Sequence, residues 1–194
     1  MAISRSASVL ARAAMGVLAA VVVSAPVWGY TDQEAQLAVW TPKDLRFVYQ
    51  GFTTRFSCEG LRDKVRDIVL ALGARKQDMQ VHESGCAGRI GAPDPFPAVS
   101  IKINVLQPLA KAAASQAEPP VAAHWQSIDI LAHQRGLDAA GQCELFEQVK
   151  QQILPLFTVR NLQYASTCVP HQLTPDQRFK AEVLVPDQTP AAAK

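Results

Sequence analysis

The chain has 194 residues, with 19 Lys and Arg against 17 Asp and Glu, a formal net charge of +2. The first 29 residues hold two of those basic residues and none of the acidic ones, so removing them leaves 165 residues balanced at 17 against 17. That balance gives no argument for nucleic acid or for an anionic membrane surface, and a chain of this length forms one domain with one core.

Residues 1–29 read as a secretory signal. Arg5 and Arg12 supply a basic start, residues 13–23 are an uncharged apolar run, and Ser24, Ala25 and Gly29 supply small residues near a cleavage point. The run is shorter than the ~20 residues that span a bilayer, and no later apolar stretch offers a second span. The expected location is periplasmic or secreted.

Leu45, Phe47 and Tyr49 alternate with polar neighbours, and Phe52, Thr54 and Phe56 continue on the opposite parity. This predicts one strand with a bulge at Gly51, because an extra residue exchanges the faces. Leu61, Val65, Ile68, Val69 and Leu72 form one helical stripe. A helix over 59–72 follows, with Ser57 as N-cap and Gly73 as the terminal glycine. A strand is expected over 79–84. Glycine and proline then crowd residues 85–97, a long loop. Val99, Ile101, Ile103 and Val105 make the clearest strand of the chain.

Residues 108–121 read as a connector, after which the order repeats. A strand over 124–133 precedes a helical stripe of Phe146, Val149, Ile153 and Phe157, which Pro155 ends or bends near Leu154. Strands follow over 162–167 and at Phe179, Ala181, Val183 and Val185, and residues 186–194 form a loose tail. The expected fold class is therefore α+β. Two similar β-α-β-β halves, 44–107 and 122–185, pack their helices on an antiparallel sheet. Aligning Cys58 with Cys143 matches Glu59 with Glu144, Leu61 with Phe146, Ile68 with Ile153, Val69 with Leu154 and Leu72 with Phe157.

Four cysteines in an exported chain imply two disulfides. A helix over 59–72 travels ~21 Å at 1.5 Å per residue. The strand that follows returns ~26 Å at 3.3 Å per residue. That journey brings Cys86 back to Cys58 and, in the second half, Cys168 back to Cys143. Such pairing leaves no thiol for catalysis, and no C-x-x-C or close metal-binding cysteine pair occurs.

The other candidate residues are few. His124 and His133 have opposite parity on one expected strand, and no H-E-x-x-H occurs. Glu59 and Glu144 sit where carboxylates favour a helix N-terminus. Within the loop of residues 85–97, Arg89, Pro93, Asp94 and Phe96 form the expected partner-binding surface. No residue is assigned to catalysis, a metal or a cofactor. The expected function is that of a non-catalytic binding or envelope-supporting protein whose partner is a protein or small molecule of the envelope. The alternative is a small hydrolase or metal-binding module built on His124, His133 and Asp129.

Overall fold

Ser57 starts the first helix as the residue pattern requires. Its hydroxyl accepts the backbone N–H of Gly60 at 3.1 Å, and the helix α1 runs over Cys58–Ala71. Leu61, Val65, Ile68 and Val69 are fully buried along its inner stripe. Past its end Gly73 takes a φ of +94°, a conformation that glycine adopts without steric cost. This computed structural model describes residues 35–52, 54–86, 91–111, 118–130, 143–166 and 178–187, all within the unit Asp32–Lys194.

The strands are β1 (Gln36–Val48), β2 (Gln80–Glu83), β3 (Ala98–Pro108), β4 (Val121–Asp129), β5 (Val159–Ala165) and β6 (Arg178–Pro186). They form one six-stranded sheet in the order β2-β3-β1-β4-β6-β5, with every pairing antiparallel. The second helix, α2 (Cys143–Gln148), passes into a π turn over Val149–Ile153 and then a 3-10 turn over Leu154–Leu156. The change falls beside Pro155, which has no N–H to continue the α pattern. The described part is thus an α+β fold with two helices and an antiparallel sheet.

The central ladder joins Gln36–Ala38 to Val121–Ala123 through only three pairs, whereas β1 and β3 share eleven. β3 and β6 nevertheless come into contact, although β1 and β4 stand between them. Three strand steps in a flat sheet would separate them by ~14 Å, so the sheet is strongly curled. The turns after the helices fill the curl. Thr158 donates its hydroxyl to the Leu106 carbonyl of β3 at 3.1 Å. A Cβ on Gly73 would lie 3.2 Å from the Leu184 carbonyl of β6.

Two apolar clusters result. The large one packs both helices on one side of the sheet and includes Phe47, Tyr49, Leu61, Ile68, Ile101, Phe146, Ile153 and Phe179. The smaller one joins Ala38, Leu106, Ala123 and Leu184, with Trp40, Val121 and Trp125 packed against them.

Several expectations need correction. The strand expected over 45–56 ends at Val48, and no bulge forms at Gly51. Residues 49–57 instead spend their hydrogen bonds on α2 and on the neighbouring loop. The strand also begins at Gln36, ahead of residue 44, because its first residues pair with β4 rather than continuing a local alternation. β5 starts at Val159, earlier than expected, and its register shifts between Arg160 and Gln163, where Asn161 has a φ of 52°. The Cys58–Cys86 disulfide is present, with Cα atoms 6.3 Å apart. The expected Cys143–Cys168 bond lies outside the described residues, as do residues 1–29, Arg89 and His133.

Candidate functional site

Two loops meet at the end of the sheet where β1 finishes and β3 begins. The first, residues 49–57, is pinned to α2. The buried Tyr49 hydroxyl donates to the Thr54 carbonyl at 3.0 Å and toward Glu144 Oε2 at 3.3 Å. Glu144 also accepts the Phe52 N–H at 2.9 Å. Gln148 exchanges two bonds with Gln50, accepting from its N–H at 2.9 Å and donating to its carbonyl at 2.6 Å. Burial, then the Glu144 carboxylate, pushes the Tyr49 phenol well above its ordinary pKa, so it stays a donor.

The second loop runs from β2 to β3 and is tied to the first. Asp94 N–H donates to the Phe56 carbonyl at 3.0 Å, and Tyr49 N–H donates to the Pro97 carbonyl at 3.0 Å. Asp94 is only 3% exposed, and its carboxylate accepts the Phe96 N–H at 2.9 Å, a local turn that aspartate makes readily. Gly91 N–H donates to Glu59 Oε2 at 3.3 Å, and the Cys58–Cys86 bond anchors the loop's first residues to the start of α1.

These bonds decide what the loop presents. Of the expected binding residues, Asp94 is turned inward as a structural acceptor, whereas Pro93 is exposed and Phe96 is 62% exposed. Phe52, which periodicity assigned to a strand, is 81% exposed on the adjoining loop. Two phenyl rings therefore stand out from backbone that is held at several points. Glu59 and Glu144 both lie in first helical turns, as expected, and both also receive loop N–H groups.

The histidine alternative has a different geometry. His124 Nδ1 lies 2.5 Å from Asp187 Oδ1. Asp129 is 3.2 Å from the ammonium of Lys180 and, at an odd separation from His124 on β4, faces the other side of the sheet. His82 is exposed on β2. Among the described residues, no three of His, Cys, Asp and Glu gather as metal ligands, and no helix is long and apolar enough to cross a membrane.

Residue patterning missed the groups on the side of the sheet away from the helices. Arg75 lies 5.1 Å from the Trp40 ring centroid and Arg160 lies 4.5 Å from that of Trp125. Trp40 stands opposite Leu106, and Trp125 stands opposite Leu184. Two shallow hollows flank them. One, of about 160 Å³, includes Asp44, Asp78, Lys102 and Asn104. The other, of about 300 Å³, includes Asp129, Gln163, Lys180 and Glu182. Asp44 pairs in register with Lys102, as Asp129 does with Lys180. The visible signal was the offset of 85 positions that relates Cys58 to Cys143, Trp40 to Trp125 and Arg75 to Arg160.

No protein-family model, no curated protein and no solved structure matches this chain.

Proposed function

We propose that the chain is an exported, non-catalytic binding protein of the periplasm or exterior, which serves the cell envelope through the loop end of its sheet. The observation that carries this reading is the display of Phe96, 62% exposed, on a loop held by Asp94, Pro97 and the Cys58–Cys86 bond. A side chain that needs little further ordering loses little entropy when it meets a partner. Export is supported by the leader-like residues 1–29 and by the disulfide, which persists in oxidising compartments.

The scaffold of this reading is two β-α-β-β halves, each stapled by its own disulfide. The strand order supports it: each half contributes its third, fourth and first elements, in mirrored sequence, to the two sides of the central ladder. So do the retained pairs Ala38 with Pro108 and Ala123 with Pro186, which occupy matching register positions.

A photo-crosslinking residue at position 96 of the exported, oxidised protein tests the function. An envelope component should be captured at position 96 and not at the exposed position 67 on α1. No capture at 96, or equal capture at both, would overturn the reading. The hydrolase or metal-binding alternative requires that replacing His124 and His133 abolish a measurable turnover or metal uptake, which the binding reading does not require.

A further inference from the structure

We infer that the two shallow hollows on the side of the sheet away from the helices are a matched pair of binding sites for a neutral, hydroxyl-rich ligand, an oligosaccharide. Each is organised around one glutamine, one lysine and one aspartate. This rests on the two-half scaffold proposed above and not on the Phe96 loop.

The strand registers match across the central ladder. Its three pairs are symmetric about Leu37–Ala122, so an offset of 85 positions carries β1 onto β4. The β1–β3 and β4–β6 registers then coincide when an offset of 78 carries β3 onto β6, as Ala38–Pro108 and Ala123–Pro186 show. Gln80 stands opposite Lys102, and Gln163 opposite Lys180. Three adjacent strands on each side therefore bear the same row, Gln80–Lys102–Asp44 and Gln163–Lys180–Asp129. Directly opposed residues share a face, and each row lines its own hollow.

The row stays the same where packing does not require it. Matched by these registers, seven of twelve strand positions facing away from the helices carry the same residue on both sides, against one of nine facing the helices, Val105 with Val183. The large core thus tolerates change that the opposite face does not. Ala38, Trp40 and Leu106 match Ala123, Trp125 and Leu184, and the smaller apolar cluster accounts for these. It does not account for the row. Gln80, Lys102, Asp44, Gln163 and Lys180 are exposed, and exposed residues can be exchanged with little effect on stability. A ligand common to both hollows supplies the missing reason.

The lining chemistry selects the ligand class. In the first hollow Lys43 and Lys102 face Asp44 and Asp78. In the second Lys180, with the Arg160 bonded to Glu182, offsets Asp129 and Glu182. Neither set has an excess of one sign to draw an ion. Lys180 lies 3.2 Å from Asp129, and an ionic ligand would have to part them. A hydroxyl donates and accepts at once, so it can meet carboxylate, ammonium and glutamine amide with every ion pair intact. Volumes of about 160 and 300 Å³, at and below the small end of ligand pockets, suit single sugar units. Asp44 and Asp129 each lie seven residues past the Leu37–Ala122 pair, in opposite directions, so the sites are separate and one chain takes two ligands.

The test is two-dimensional NMR of the mature, oxidised protein titrated with chitotetraose, maltotetraose, succinate and putrescine. At least one tetrasaccharide should shift the side-chain amides of both Gln80 and Gln163, with two bound per chain. Succinate and putrescine should shift neither. Read at neighbouring backbone amides, Gln80→Ala and Lys102→Ala should each weaken binding at the first hollow on the order of tenfold and leave the second unchanged. Gln163→Ala and Lys180→Ala should do the reverse. Asp67→Asn, at an exposed position of α1, should change neither. Thermal melting of each variant verifies folding. No shift at the glutamines with either sugar, a response at one hollow only, or an equal response to succinate or putrescine overturns the assignment. If the position-96 crosslinker captures an envelope component while neither sugar binds, the loop reading stands and the paired hollows fall. If a sugar binds both hollows and the crosslinker captures nothing, the hollows stand and the loop reading falls.

Discussion

Arg75 lays its guanidinium 5.1 Å from the centre of the Trp40 indole while chelating Glu118 through two bonds, at 2.7 and 2.8 Å. Arg160 treats Trp125 and Glu182 in a comparable way, with its Nε 2.5 Å from the carboxylate. Each arginine thus covers an indole at the edge of the smaller apolar cluster and connects segments far apart in sequence. Arg75→Ala should destabilise the protein by about 1–2 kcal/mol, and the more exposed Arg160→Ala by about 0.5–1 kcal/mol. Lysine should restore only part of each loss, since it cannot stack and fork at once. Urea unfolding followed by tryptophan fluorescence measures both.

The same ion pairs predict an acid-sensitive region. Hydrogen bonds from Arg75 hold the Glu118 carboxyl below its ordinary value of 4.5, and hydrogen bonds from Arg160 and then Asn161 do so for Glu182. A carboxyl whose folded pKa is lowered adds stability above the unfolded pKa and loses it as pH falls through the folded one. Melting temperature should therefore be steady above about pH 5 and fall below about pH 4. The fall should be shallower in the Arg75→Ala, Arg160→Ala double variant and in high salt.

Replacing Cys58 and Cys86 with serine opens a loop of 28 residues. The chain-entropy model assigns such a closure about 3–4 kcal/mol. The variant should melt earlier, and amides of the 91–97 loop should exchange faster than those of β3. Peptide mapping of the unreduced protein should return Cys58–Cys86 and Cys143–Cys168 peptides.

Glu144→Ala removes the acceptor of the Phe52 amide and a partner of the Tyr49 hydroxyl in one step. It should cost about 1–2 kcal/mol and raise amide exchange at Phe52. Glu144→Gln, which keeps an acceptor oxygen, should lie between the wild type and alanine. Exchange mass spectrometry resolves the order.

Gly73→Ala sets a methyl at a φ of +94° and 3.2 Å from the Leu184 carbonyl. Left-handed strain and the close approach together should cost more than about 1 kcal/mol. Chemical unfolding measures this, and Gly91→Ala, at a φ of +75° with no neighbour within 4 Å, isolates the strain alone.

Local rules carried the reading of α1, its Ser57 cap, the order of helices and strands, and the Cys58–Cys86 bond. Each depends on side-chain period or on the reach of a short piece of chain. Phe52 shows where those rules stop. Its alternation with Thr54 and Phe56 is genuine, yet Glu144 and Gln148, more than 90 positions away, claim the backbone for a loop. Asp94 and Phe96 differ for the same reason: neighbours decide which turns inward, and composition treats both as loop residues.

By itself the sequence determined the inventory: a leader-like start, two helical stripes, six extended runs and four cysteines. The tertiary structure alone decided that β1 and β4 meet over three pairs, that the sheet curls until Thr158 reaches Leu106, and that Trp40 and Trp125 each lie under an arginine. Periodicity records which face of an element is apolar. It carries no information on which distant backbone group will satisfy a given donor, and at this molecule's loop end those donors set which side chains stand exposed.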